Sequence, residues 1–281
     1  RPAGGLDGVT GANRLDALVV PDGRTAAILP GAALIAWLTG DSRVHFDPTR
    51  WMPVMAGCNS GVLVVRLKAG VAPSLQSLKA IAPIRLAVNE PQSNDLAALL
   101  ALERMAVPSA PVFGLRDMDA KVRAFVAGEV DAIFVSGEGV PEDIAPLTAS
   151  GGVGVFSLGR LNGNGTVSSD PLFPGVPDVN AFSGSATAFL DAAYRAAAAA
   201  ARLDFIVVLP KLTDPGAVEL WRQSANMAMS APALVAAASA SSISLEPAAA
   251  AAAALADLNL AIADQKGLQT LLAKSFGWQP G

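Results

Sequence analysis

The chain has 281 residues, 52% hydrophobic and 16% charged, a length that fits one large domain or two medium ones with full cores. Its net charge of −4 argues against the clustered basic footprint of a nucleic-acid binder. One cysteine, Cys58, excludes an intramolecular disulfide, and the apolar residues fall in short Ala- and Val-rich runs below the ~18 that span a membrane. No leader is visible before Arg1, as expected of a processed or trimmed product.

In chain order, a glycine-rich loop runs into a short helix, and Pro21-Asp22-Gly23 turns into a buried strand at residues 25–29. Pro30-Gly31 ends it, and a helix is predicted over 32–38. GVLVVRL, residues 61–67, is a continuous β-branched run expected of a strand covered on both faces. A short helix follows at 75–81, then a strand at 84–88, a polar loop Asn89–Asp95 and an amphipathic helix at 96–105. A strand at 112–113, a helix at 119–126 and strands at 130–135 and 153–158 continue the alternation. Such strand–loop–helix units predict an α/β protein with largely parallel sheets. After the turn-rich stretch 162–177 come a helix at 186–202, strand 205–209, helices at 216–229 and 231–240, and a helix at 248–274 interrupted near Gly267.

The titratable set is thin. His45 is the only histidine, which removes histidine-based triads, and one His with one Cys makes zinc improbable. A lone histidine beside Phe46 reads as partly buried and structural. No phosphate-loop or nucleophile-elbow motif occurs, and Gly151-Gly152-Val153-Gly154 lacks the third glycine of a dinucleotide site. The reading is therefore a non-enzymatic protein without cofactor or metal.

What remains is a set of strand-end loops rich in small polar residues. In doubly wound sheets ligands sit outside the carboxyl ends of the strands, where helix N-termini present free amides. The 89–95 loop and the loop from Ser136 after VDAIFV meet both conditions. The alternative is that the same side chains merely cap the helix at Leu96. Candidate ligand contacts are Asn89, Gln92, Ser93 and Asn94, with Ser136 and Gly137 from the second loop. Gly31 and Gly114 are expected to permit close backbone approach. Arg116 can grip a carboxylate or pair with Asp117 or Asp119 instead. Glu90 and Asp95, if they face the ligand, call for a cationic or donor group on it.

Several segments, taken in order, resemble one family. AGGLDGVTGAN and VPDGRTAAIL are similar to a glycine loop followed by a P-x-D-G-x-T turn, and Phe46-Asp47-Pro48 with Pro53-Val54 to a D-P…P-V element. Ser74–Leu78, Gly128–Ala132, FPGVPDVNAF, IVVLPKLTDP and SAPALVAAASASSISLEP follow in register. Together they resemble the extracytoplasmic solute receptors of tripartite tricarboxylate transporters, the Bug family. The resemblance implies a two-lobed flytrap fold with a ligand cleft. One lobe is expected from residues 1–67 plus 204–281, the other from 68–203 with an inserted helix near 186–202, the chain crossing near Lys68 and Leu203. It also implies a periplasmic location, a small carboxylate or amino-acid-like ligand and a membrane transporter partner. The family's first strand and loop are not found upstream of the glycine segment, so the lobe containing Arg1 is expected to lack a central strand. A ligand-sensing effector domain and an α/β enzyme on a similar frame are the alternatives.

Overall fold

The computed structural model describes Gly5, residues 7–182 and residues 186–278. Ala3, Gly4 and Leu6 of the glycine-rich loop lie outside the described residues, as do both ends of the first expected lobe. In order the elements are α1 (Val9–Leu18), β1 (Ala27–Pro30), α2 (Gly31–Thr39), β2 (Met52–Cys58), β3 (Gly61–Arg66), α3 (Leu75–Ala80), β4 (Ile84–Ala87) and α4 (Leu96–Arg104). Then come β5 (Ser109–Val112), α5 (Met118–Val126), β6 (Ala132–Ser136), α6 (Val140–Ala149), β7 (Gly152–Ser157), β8 (Arg160–Leu161) and β9 (Val167–Ser168). The rest is α7 (Ala188–Arg202), β10 (Leu203–Leu209), α8 (Pro215–Met229), α9 (Pro232–Ala240), β11 (Ser244–Pro247), α10 (Ala248–Asp257) and α11 (Ile262–Phe276).

The strands form two main sheets, β1-β10-β2-β11 and β5-β4-β6-β3-β7, with β8 and β9 as a small hairpin. The expectation of largely parallel sheets is not met. The first sheet is antiparallel throughout, and in the second β5, β4, β6 and β7 run one way while β3, between β6 and β7, runs against them. The reason is connectivity: β2 and β3 are consecutive in sequence but enter different sheets, so no crossover helix joins them as parallel neighbours. GVLVVRL was expected in the first lobe, yet it pairs with β6 and β7 in the second sheet. The chain thus passes from the first sheet to the second at Asn59–Ser60 and returns at Arg202–Leu203. The first sheet pairs in the order β1, β10, β2, β11.

Alternation along β3 follows the two-residue period of a strand. Leu63 and Val65 face one core, while Val62 and Val64 face a second, under α5 and α6. The first core is continuous between the sheets, joining Leu29, Ala56 and Ile206 to Leu63, Leu86 and Phe134. Its middle is α7, whose Ala196–Ala201 run is buried. The helix packs between α2 and α4 and also touches α10 and α11. Alanine makes this possible, because it gives a helix strong propensity with almost no side-chain thickness.

The crossings are bonded side by side. Asn59 N–H donates to Arg202 O at 2.8 Å, and the Arg202 guanidinium donates to Leu158 O through Nε and Nη2, at 2.8 and 2.6 Å. Leu158 N–H in turn donates to Gly61 O at 2.8 Å.

Some elements differ from expectation for identifiable reasons. α4 is buried from Leu96 through Leu102 rather than amphipathic, because α7 covers its second face. The C-terminal helix breaks at 258–261, and Gly267 lies inside α11 against the Phe189 ring. His45 is exposed, its side chain held outside the core while its backbone N–H bonds Asn13 Oδ1.

Gly31 opens α2 directly against the α7–β10 junction, where a Cβ would collide with the carbonyl oxygens of Ala200 and Leu203. These are backbone atoms that cannot rotate away. Gly31→Ala should therefore cost roughly 1–3 kcal/mol or more, read as a lowered urea midpoint with an unchanged slope.

Candidate functional site

The loops that follow β4, β5 and β6 gather at one end of the second sheet, facing the start of α2 and the turn after it. Between them lies a cleft of ≈ 870 Å³, within the size range of small-molecule sites. One wall carries Asn89, Gln92, Ser93, Asn94, Arg116 and Ser136; the other carries Ala32, Ala36, Ser42 and Arg43. Six of the nine residues expected from sequence thus meet in one cavity. Gly31, Gly114 and Gly137 do not line it. Gly31 serves the helix contact just described. Gly114 and Gly137 have φ of +90° and +106°, a backbone conformation that favours glycine.

The 89–95 loop folds around Asp95. This carboxylate accepts from Asn89 N–H at 2.9 Å and Ser93 Oγ at 3.0 Å, and Lys121 Nζ donates to both its oxygens at 2.6 and 2.7 Å. Asp95 occupies the cap position of α4 yet makes no side-chain cap bond. Simple helix capping is therefore not its role. Asp95 and Lys121 are 2% and 7% exposed, so the pair is a buried ion pair joining the 89–95 loop to α5. Gly114 N–H, donating to Asn89 O at 2.9 Å, ties the same loop to the stretch that precedes α5.

Lys121 was not among the sequence candidates. A lysine on a short amphipathic helix reads as solvated, and nothing local marks it as buried. Asp7, Asp41, Arg43 and Trp278 were also missed, though the polar run Asp41-Ser42-Arg43 after an apolar helix is a signal that could have been used. Arg43 donates to Asp41 through Nη2 at 2.6 Å and Nε at 3.0 Å, and to Asp7 at 2.6 Å. Its guanidinium holds the Asp41 carboxyl below its ordinary value, and the two carboxylates push the arginine upward.

Other groups in the cleft are uncommitted. Arg116 is exposed and has no ion-pair partner among the described residues; Asp117 instead caps α5 by accepting from Ala120 N–H at 2.7 Å. Asn94 Oδ1 is buried without a partner among the described residues. Ser136 stands at the end of β6, and Glu90 is exposed at the rim. Away from the cleft, Cys58 is buried, and burial pushes its thiol up to about 12.

This is the fold of the two-lobed periplasmic binding proteins. A solved TctC solute-binding protein from Polaromonas matches with TM-score 0.66 and 15% identity over 91% of this chain and 80% of its own. MatC from Rhodopseudomonas palustris, solved with malate, matches at TM-score 0.56 and 14% identity, over 95% of this chain and 85% of its own. The periplasmic binding protein BugD matches at 0.54 and 13%, over 97% and 84%. No protein-family model and no curated protein matches the sequence. Among the described residues no helix is long and apolar enough to cross a membrane, and no cluster of ligating side chains is arranged for a metal.

Two outcomes follow. Lys121→Met strands a buried carboxylate and should cost about 3–5 kcal/mol, while the double variant Lys121→Met/Asp95→Leu should recover much of that in the same denaturation assay. Asp41, with its folded value depressed, stabilises the protein above its ordinary 3.8, and that stability is lost as pH falls through the depressed value. Asp41→Asn should therefore flatten the acid limb of Tm against pH, measured by calorimetry between about pH 2 and 5.

Proposed function

We propose that the chain is an extracytoplasmic solute receptor of the tripartite tricarboxylate type, which captures a small carboxylate and delivers it to a membrane transporter. The observation that carries this reading is the cleft itself, polar, of ligand size and set between two sheets joined by two adjacent crossings. The likeness of the fold to TctC, MatC and BugD supports it, as does the order of sequence motifs that resemble the same family. The chain acts by binding, not by catalysis, and its place of work is the periplasm.

The lobes are residues up to Cys58 together with those from Leu203 onward, and residues 61–182, with α7 lying between them. Rotation about Asn59–Ser60 and Arg202–Leu203 closes one wall of the cleft onto the other, as in hinged binding proteins. In the cleft, Arg116 grips a carboxylate in the fork geometry that suits guanidinium. Asn94 Oδ1 is a bare acceptor, and Glu90 adds negative charge at the rim. A ligand that carries a carboxylate together with an ammonium or hydroxyl group satisfies both sides. Asp95 places no demand on the ligand, since Lys121 already neutralises it.

Calorimetry with a panel of dicarboxylates, hydroxy acids and amino acids tests this. A hydrogen bond to a charged group is worth roughly 1.5–3 kcal/mol, so Arg116→Ala and Asn94→Ala should each weaken the bound ligand at least tenfold. Ser93→Ala should act in the same direction by loosening the loop around Asp95. X-ray scattering should show a smaller radius of gyration with ligand. Failure of every panel member to bind, or unchanged affinity in all three variants, removes the cleft as the site.

A further inference from the structure

A second cavity, of ≈ 460 Å³, lies across the crossings from the cleft. In the first sheet the crossing strands β10 and β2 stand between β1, which leads into the α2 wall of the cleft, and β11, which lines this cavity. Asn59 and Ser60 of the first crossing form part of its wall, with Arg160 and Asp170 from the second lobe.

Its polar wall holds two buried acceptors without partners among the described residues. Asp170 is 2% exposed; its Oδ1 accepts from Leu172 N–H at 3.0 Å, while Oδ2 has no partner among the described residues. Asn59 is 7% exposed, and its Oδ1 is likewise without a partner. Arg160, the nearby cation, leans toward Glu246 Oε1 at 4.0 Å. A buried carboxylate oxygen with no donor is expensive, and a cation bearing N–H groups offsets part of that cost. The remaining wall sets Leu161, Leu172, Met229 and Leu245 beside the hydroxyls of Ser239, Ser242 and Ser244, a mixed surface with room for a short hydrocarbon tail. An alkylammonium group has three donors on a compact head and an apolar tail, which matches both ends.

We propose that this cavity is a second ligand site, independent of the cleft, that takes a small organic ammonium ion with its head on Asp170 and Asn59. The test uses the intact protein titrated with n-butylammonium, with 1-butanol as the neutral molecule of equal chain length, followed by NMR shift changes at fixed ionic strength. Saturable binding of the amine and none of the alcohol is expected. Asp170→Asn should weaken the amine at least tenfold while leaving the affinity of a cleft ligand unchanged. Val235→Trp, at a partly exposed position on the cavity wall, should block the amine with Asp170 intact, which covers the case in which the Asp170 variant fails to fold. Equal binding of alcohol and amine overturns the proposal, as does unchanged amine affinity in both variants. So does a Ser93→Ala loss as large as the Asp170→Asn loss, which would place the amine in the cleft.

Discussion

The architecture depends on how thin α7 is. Two sheets share one core only because a helix of alanines fits between α2 and α4 with its backbone almost against that of its neighbour. Gly31 completes the contact by having no side chain where α2 meets the end of α7. Everything downstream of that contact is fixed by it. α7 delivers the chain into β10 beside the first crossing, and α2 is held where Ala32 and Ala36 form part of one wall of the cleft. A bulkier helix would separate the sheets and widen the gap between the two walls. Interiors packed to crystal-like density transmit such a change rather than absorb it.

Within the cleft the charges divide into those already spent and those still free. Asp95 with Lys121, and Arg43 with Asp41 and Asp7, are satisfied by each other and shape the walls. The first of these pairs is deep, and the energy of such pairs lies less in net attraction than in the cost of breaking them. Arg116 and Asn94 are the groups that internal bonding leaves available. A site organised in this way keeps its loops in place before the ligand arrives, which lowers the ordering entropy that binding must overcome.

The sequence is most informative where a single local rule decides. The β-branched run at β3 reads as a strand buried on both faces, and it is one; the 89–95 loop reads as a strand-end polar loop, and six of its residues line the cleft. What is not legible is mostly non-local. β2 contains Pro53 and Gly57, which argue against a central strand. Pro53 is accommodated at a register shift against β10, and Gly57 makes room for the Phe205 ring. The sheet assignment of β3 depends on a crossing at Asn59–Ser60, where Ser60-Gly61 marks a turn but not which sheet follows it. Lys121 is buried only because Asp95, 26 residues earlier, is there to meet it. α6 is absent from the elements expected above, although Pro141 and the acids of its first turn form a local start signal.

The buried state of Cys58 has a practical side. A thiol displaced to about 12 and shielded from solvent is almost entirely protonated at neutral pH, and so reacts slowly with alkylating reagents. It is also the only cysteine in the chain. The native protein is thus a quiet background for site-directed labelling. A cysteine placed at the exposed Ser42, on the cleft wall, accepts a fluorophore selectively without prior removal of native thiols. Such a conjugate turns the protein into an optical reporter of whatever enters the cleft.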